Sequence, residues 1–411
     1  MIGHHSTEEL AAAAFVNNVF NLAIIFATGF SYGLTPLIGM LQGGGNTQGI
    51  GRVFRNALAA NASVAVLLTA VMYTVYCFVD KLGQPEELLP HIRPYFVLQL
   101  ISLLFIMLFN GFRQFAEGLT DTRTPMWILL GGNALNIFGN YLLIYGSFGF
   151  PEWGLFGAGV STLVSRIVML LVFIGVVAVA RRYKVYREAI LRSRFNRNDF
   201  MQLNALGWPI ALQMGMETAA FSLSAIMVGW LGSIPLAAHQ IMISVSTIGF
   251  MVYYGMGAAL AVRVSHFMGQ KDFPNLRRAV NSGMGIILSL AIVASLFFYL
   301  ARTPIIYSFT EDHEVMVVVS SLIFSLIVYQ FGDALQITFA NALRGTTDVK
   351  PMMWIAFFSY FIVALPVGYL CGFTWGGGVV GVWVAFPAGL FTAGFLFWLR
   401  FRYRLQQLMK K

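Results

Sequence analysis

The sequence predicts an all-α polytopic membrane protein made of two pseudo-symmetric helical bundles. Of its 411 residues, 58% are hydrophobic and 10% are charged, whereas about a quarter of a typical soluble domain is charged. Its apolar runs are roughly 20–30 residues long, which suits membrane-spanning helices and not the short alternating strands of a barrel. The chain also repeats itself, since residues 1–3 (MIG) return as residues 227–229 (MVG).

Two further parts of the chain repeat with nearly the same offset. The matched positions are Gly118, Asp121 and Pro125 with Gly345, Asp348 and Pro351, and Gly154, Gly157 and Val160 with Gly378, Gly381 and Val384. A long repeat in a very apolar chain is typical of transporters built from two related bundles with a binding site between them.

The apolar runs predict eleven membrane segments. They cover residues 10–41, 51–79, 91–112, 125–147, 154–180, 203–230, 236–268, 279–301, 315–340, 351–373 and 378–400. Five segments fall in the first half and six in the second, so the repeat is incomplete at its start. We therefore expect that a natural first helix precedes Met1 and is absent from this chain.

The charges of the loops predict the orientation. One set of loops is basic and the alternate loops are short or acidic, so the basic side and the C-terminus are expected in the cytoplasm. The most basic stretch, residues 181–199, separates the halves. The predicted organisation is an N-terminal bundle at 1–180, a basic cytoplasmic linker at 181–199, and a C-terminal bundle with a basic tail at 200–411.

Three residues of the second half are candidates for binding a cation. Glu217 and Asp333 lie deep in apolar segments, where a charge costs something like 2.5–3.5 kcal/mol and therefore marks a functional candidate. Tyr329 precedes Asp333 by four residues, which places both on one helix face. Two carboxylates and a phenol provide oxygen ligands suited to Na⁺ or to a shared proton. The alternative is that each carboxylate is a hydrogen-bonded structural group.

A second polar cluster is predicted in the first half. Asn136 and Asn140 lie one helical turn apart and, with Thr162, are candidates for lining a polar cavity; the alternative is interhelical hydrogen bonding. Arg166 is a weaker candidate for an anionic substrate group, with snorkelling as the alternative. His239 is a lone histidine for which a structural role is favoured over proton relay.

Several function classes lack support in the sequence. There is no phosphate-binding Gly-Lys-Ser/Thr loop, no His-Glu-x-x-His and no Cys/His cluster, and the two cysteines form no metal spacing. The basic residues occur in short loops between apolar runs, which argues against nucleic acid. No enzyme activity and no cofactor are predicted.

At these residues the chain resembles the multidrug and toxic compound extrusion (MATE) family, in particular its NorM-like bacterial branch. The resemblance spans essentially the whole chain. It is carried by residues 1–3 with 10–12, 133–141, 154–157, Glu217, 227–229 with 236–240, and 329–336 with 343–345.

The resemblance implies twelve helices in two six-helix bundles around a V-shaped cavity, and transport by alternating access. It implies that Glu217, Tyr329 and Asp333 bind the coupling ion, with Na⁺ at Glu217 and Asp333 as the specific hypothesis. It pairs Asn136 and Asn140 with an acidic residue of the first helix, which would lie before Met1.

The predicted function is efflux of small organic cations and drugs across the bacterial inner membrane, by a monomer that exchanges them for Na⁺ or H⁺. The alternative within the superfamily is a flippase-type exporter of a lipid-linked or metabolite substrate. A membrane-embedded enzyme and a channel are the other classes considered.

Overall fold

The computed structural model describes residues 2–410, and every regular element in that range is a helix. This confirms the predicted all-α fold. Eleven helical stretches are long and apolar enough to span a membrane, which agrees with the eleven predicted segments. They are Thr7–Gly43, Thr47–Cys77, Glu86–Gly118, Arg123–Tyr145, Gly154–Val179, Arg197–Gly229, Ser233–Gln270, Phe273–Leu300, His313–Gly345, Lys350–Thr374 and Gly378–Met409.

The chain divides into two compact units, unit 1 at Met1–Ala211 and unit 2 at Leu212–Lys411, with the division inside one long helix. The helices of unit 1 are α1 (Thr7–Ser31), α2 (Leu34–Gly43), α3 (Thr47–Cys77), α4 (Leu89–Gly118), α5 (Arg123–Tyr145), α6 (Gly154–Val179), α7 (Lys184–Arg192) and the start of α8 (Arg197–Gly229).

Unit 2 contains the rest of α8 and eight further α-helices. These are α9 (Ser233–Gln270), α10 (Phe273–Leu300), α11 (Arg302–Phe309), α12 (His313–Gly345), α13 (Lys350–Phe357), α14 (Leu365–Tyr369), α15 (Gly378–Trp383) and α16 (Ala385–Met409). The central helix of this unit is α12, which packs against α9, α10 and α16.

The turns that precede α3 and α10 show the repeat in the backbone. Gly45 and Lys271 lie at equivalent positions, and both have left-handed φ angles, of 69° and 59°. The next residues, Asn46 and Asp272, cap the two helices. Each side chain accepts a hydrogen bond from the backbone amide three residues later, at 2.9 Å and 3.1 Å. Such caps satisfy amides that have no partner within the helix.

The turns after α4 and α12 repeat in the same way. Thr120 and Thr347 both have positive φ angles, of 65° and 58°, and each is followed by an aspartate. In unit 2 the carboxylate of Asp348 accepts two hydrogen bonds from Arg400, at 2.6 Å and 3.0 Å. This bidentate pair ties the turn to α16.

In unit 1 the equivalent carboxylate, Asp121, connects the start of α5 to the linker by hydrogen bonds and an ion pair. It accepts hydrogen bonds from the amide and hydroxyl of Thr124 and from the hydroxyl of Tyr183, and it pairs with Arg182 at 3.0 Å. Burial opposes ionisation of Asp121, but these hydrogen bonds and the arginine outweigh it and lower the pKa of Asp121. Burial and the bond to the aspartate raise the pKa of Tyr183, which stays a donor.

The basic linker contains a helix that packs closely on unit 1. A Cβ atom at Gly51 of α3 would lie 2.5 Å from the backbone carbonyl carbon of Ala189 in α7. Only a glycine leaves room for this approach. The linker helix therefore covers one face of α3.

The span at Lys350–Thr374 is not a regular α-helix. It contains a π-helical stretch at Phe358–Ala364 between α13 and α14. A π-helical stretch changes which side chains face the neighbouring helices, and such stretches are frequent at functional sites. Here it contains Tyr360, whose side chain is 2% exposed.

Candidate cation-binding site

The three residues predicted to bind a cation are neighbours in unit 2. Tyr329 and Asp333 lie one turn apart on α12 and are buried, and Glu217 reaches them from α8 with partial exposure. The carboxyl groups of Glu217 and Asp333 interact electrostatically with each other, and the Tyr329 hydroxyl interacts with both. Packing of α8 near α12 thus collects the predicted oxygen ligands at one place.

Two amide side chains orient the carboxylate of Glu217. Gln213, one turn earlier on α8, donates from Nε2 to Glu217 Oε2 at 3.0 Å. Gln336 of α12 donates from Nε2 to the same oxygen at 3.2 Å. Both amide donors therefore use Oε2, which leaves Oε1 without an amide donor.

A buried arginine sets the orientation of the first of these amides. Arg344 of α12, 6% exposed, donates from Nη2 to Gln213 Oε1 at 2.7 Å. Because an arginine only donates, it binds the carbonyl end of the amide, and the NH₂ end is turned toward Glu217. Arg344 also interacts electrostatically with Glu217. Arg344 therefore acts on the carboxylate in two ways: directly through its charge, and indirectly by fixing the orientation of Gln213.

Several buried polar atoms in the same region have no hydrogen-bond partner among the described residues. They are Asp333 Oδ2, both amide atoms of Gln330, and the hydroxyl of Tyr253. The site is narrow, because a Cβ atom at Gly249 would lie 2.6 Å from Gln330 Oε1 and 3.3 Å from the Tyr253 hydroxyl. Buried polar atoms normally have partners. Oxygen atoms of this kind fit a small hard cation or its water.

Tyr360 adds a further hydroxyl to the region from the π-helical stretch. Its hydroxyl interacts electrostatically with Glu217, Asp333 and Tyr329. The set therefore contains two carboxylates, with phenol and amide oxygens around them. Two acidic groups with phenol and amide oxygens around them suit a monovalent cation or a proton.

The polar cluster predicted in unit 1 is a connected network. Asn140 donates to Asn136 Oδ1 at 3.2 Å, and Asn136 donates to the hydroxyls of Ser161 and Thr162 at 3.4 Å and 3.3 Å. The Ser161 hydroxyl in turn donates to the backbone carbonyl of Asn136 at 2.9 Å. These bonds join α5 to α6, and Asn140 Oδ1 is buried without a partner among the described residues.

The other polar residues of the membrane segments have local partners. Arg166 donates to Gln99 Oε1 at 3.2 Å and to the hydroxyl of Ser102, both on α4. His239 is 1% exposed and accepts a hydrogen bond on Nδ1 from the Trp383 indole at 3.1 Å. The structure therefore places both residues in interhelical contacts within their units.

Sequence reasoning did not identify the amides, the arginine and the further tyrosines of the unit 2 site. One signal was available, because Gln213 precedes Glu217 by the same four residues that separate Tyr329 from Asp333. Arg344 and Tyr360 are distant in sequence from Glu217, and only the helix packing shows their proximity.

Comparison with known proteins gives consistent matches along the chain. The MatE family model matches residues 1–142 and 209–370. The multidrug resistance protein NorM of Photobacterium profundum is 30% identical over 417 residues, which cover 98% of this chain and 89% of the relative. The probable multidrug resistance protein NorM of Photorhabdus laumondii subsp. laumondii is 27% identical, with 100% and 91% covered.

Solved structures show the same fold. One described as the outward-facing conformation of a multidrug resistance MATE family transporter of the MOP superfamily has a TM-score of 0.90 at 20% identity, with 100% of this chain and 91% of that chain covered. A MOP superfamily transporter from Pyrococcus furiosus has a TM-score of 0.86 at 20% identity, with the same coverage.

Proposed function

Because this chain belongs to the MatE family of membrane transporters, we propose that it exports small organic compounds, many of them cationic, in exchange for Na⁺ or H⁺. The membership confirms the family resemblance and the prediction of a transporter that is not an enzyme. The multidrug resistance names of the relatives support the substrate class. The coupling ion and the alternating-access cycle are our proposals.

The observation that carries the proposal is the pair of carboxylates in unit 2 with partnerless oxygens beside them. Glu217 Oε1 has no amide donor, and Asp333 Oδ2 is buried without a partner among the described residues. An entering cation or proton would bind these oxygens, with the Tyr329 hydroxyl as a neutral ligand. Its charge would relieve the mutual repulsion of the carboxylates.

Coupling requires that the ion and the exported compound each favour one of two states. A ligand shifts a conformational equilibrium only by its difference in affinity for the two states. We propose that ion binding at Glu217 and Asp333 favours the state that opens to the outside. The compound leaves from that state, and release of the ion to the inside resets the cycle. The polar network of Asn136, Asn140 and Thr162 is proposed to contribute to the substrate cavity.

The proposed placement is the inner membrane of a bacterium, with the C-terminus and the basic linker at 181–199 in the cytoplasm. The bundles proposed on either side of that linker are 1–180 and 200–411, and the chain is proposed to act as a monomer. The positive-inside rule supports the orientation. A C-terminal reporter fusion that is active only in the cytoplasm tests it, and activity of a periplasmic reporter there would contradict it.

Transport in inside-out vesicles tests the function. In these vesicles the lumen corresponds to the outside of the cell. We expect a fluorescent cationic dye to accumulate in the lumen when Na⁺ or H⁺ is more concentrated there than in the medium. This accumulation should be lost in Asp333→Asn. The matched control is Asp312→Asn, the same change at an exposed residue before α12, which should transport like the parent chain. Ion-driven transport that persists in Asp333→Asn would overturn the proposed site, and dye flux that needs no ion gradient would overturn coupling.

A further inference from the structure

A groove runs between α9 and α10 on the surface of unit 2, away from the cation site. It has a volume of about 430 Å³. The groove changes character along its length, from a basic end to an apolar end. The residues that define it are Met256, Leu260, Arg263, Phe267, Arg278 and Ile286.

The basic end contains two exposed arginines, Arg263 of α9 and Arg278 of α10. The Arg263 guanidinium lies over the ring of Phe267, 5.1 Å from its centroid. Arg278 reaches only the amide oxygen of Asn275, at 3.5 Å. Among the described residues, the groove lining includes no carboxylate and neither arginine has a salt bridge. Both charges are therefore available to an anion.

The positions of the two arginines along their helices are those expected for residues at the level of the lipid headgroups. Arg263 is seven residues before the end of α9, and Arg278 is five residues after the start of α10, so they lie about 10 Å and 8 Å inside the helix ends. These ends meet at Lys271 on the basic side of the chain. The apolar end of the groove continues deeper along the same helices, where acyl chains lie.

The face of unit 1 that is equivalent to the groove differs in how its residues are paired and packed. By the 226-residue offset of the repeat, Arg278 corresponds to Arg52 of α3. Arg52 is neutralised by Asp199 at 2.5 Å, and the linker helix α7 covers the adjacent Gly51. Arg263 corresponds to Leu37, which is 5% exposed. In unit 1 the exposed arginine is thus already paired with a carboxylate and its neighbour Gly51 is covered, whereas Arg278 of α10 has no salt bridge among the described residues and has an extra arginine beside it.

We propose that the α9–α10 groove binds an anionic phospholipid of the leaflet on the basic side of the membrane. Its phosphate lies between Arg263 and Arg278, and one acyl chain follows Met256, Leu260 and Ile286. A guanidinium offers paired donors that match phosphate oxygens. Two positive charges without a carboxylate select an anionic over a zwitterionic headgroup. This site is independent of the proposed cation coupling.

Native mass spectrometry of the full chain in mild detergent tests the proposal. The probes are phosphatidylglycerol, phosphatidylcholine with the same acyl chains, and inorganic phosphate. We expect one phosphatidylglycerol to bind with preference over phosphatidylcholine. Arg263→Ala and Arg278→Ala should each weaken this binding about 5-fold, and together about 25-fold, from the contribution of one basic residue to binding of anionic lipid. Equal binding of the two lipids would overturn the proposal.

Two further variants separate the groove from general surface charge. Arg277→Ala removes a neighbouring exposed arginine that does not line the groove, and it should change binding by less than about 2-fold because salt screens charges outside the contact. Ser282 also lines the groove. Ser282→Phe keeps both arginines but fills the groove, and it should weaken binding of the lipid. Binding of phosphatidylglycerol to Ser282→Phe as tight as to the parent chain would contradict acyl-chain docking. So would binding of inorganic phosphate to the parent chain as tight as that of phosphatidylglycerol.

Discussion

Replacing Gln213 with methionine tests whether the arginine-to-carboxylate network holds the proposed cation site. The substitution keeps the length of the side chain and removes its amide. It breaks the bond from Arg344 at 2.7 Å and the bond to Glu217 at 3.0 Å. Gln336 would remain as the amide donor to the carboxylate. The change therefore acts on the network without removing a charge.

The expected cost follows from the partners of the two bonds. Hydrogen bonds to charged groups contribute about 1.5–3 kcal/mol each, so two of them contribute roughly 3–6 kcal/mol. Side-chain bonds between membrane helices average about 0.6 kcal/mol. Applied to both bonds, of which only the one from Arg344 joins two helices, this value gives a lower bound of about 1 kcal/mol. Because Arg344 is 6% exposed and Gln213 is 1% exposed, water replaces little of what is lost. We expect a destabilisation of about 3 kcal/mol.

Equilibrium unfolding in mixed detergent micelles, followed by circular dichroism, measures this cost. Gln240→Met is the matched control, because Gln240 is an exposed glutamine of α9. A double-mutant cycle of Gln213→Met with Glu217→Gln should give a coupling energy of at least about 0.5 kcal/mol, as neighbours in one network do. Added Na⁺ should stabilise Gln213→Met less than the parent chain. A cost no larger than that of Gln240→Met, or no coupling, would refute the network.

Three further perturbations test the packing of unit 1. Folding lowers the pKa of Asp121, so the stability it contributes is present above its ordinary pKa, about 3.9, and is lost as the pH falls through the lower folded value. Thermal unfolding at pH 7 to 3 should show this acid loss in the parent chain and a weaker pH dependence in Asp121→Asn. Gly51→Val should lower the melting temperature by several degrees, because its side chain meets the backbone of Ala189, whereas Gly175→Ala, with open space around it, should not lower it. Asn136→Ala should cost about 1 kcal/mol in denaturant titrations, since it removes interhelical bonds of about 0.6 kcal/mol each.

The membrane segments could be predicted because each leaves a local signal. An apolar run of about 20 residues or more indicates a helix in a bilayer, because a helix satisfies its backbone groups within one segment whereas barrel strands are shorter and alternate in polarity. The grouping of Tyr329 with Asp333 could also be predicted from a local signal, because residues four apart share a helix face. The cost of charge in apolar segments marked Glu217 and Asp333 separately as functional candidates. That Glu217 shares a site with Tyr329 and Asp333 was implied by the family resemblance.

The remaining part of the proposed cation site depends on packing that leaves no local signal. Gln213 and Gln330 are uncharged, so their presence in apolar helices marks no particular site. Tyr360 is brought to the site by a π-helical stretch, for which the sequence of that span offers no recognised pattern. Tyr253 contributes through close packing at Gly249. These contacts depend on distances between helices, which periodicity within one helix does not determine.

The comparison of α4 with α12 shows that the repeat preserved the backbone and not the chemistry. The two helices end at the equivalent residues Gly118 and Gly345. In that register Asp333 of α12 corresponds to Ile106 of α4. The turns and caps recur because any chain of this fold must satisfy the same backbone groups at its helix ends. A carboxylate within the membrane is costly, so a duplicated fold has no physical reason to keep two of them at equivalent positions. The proposed ion site in unit 2 would by itself be sufficient to give the two proposed conformations different affinities for the ion.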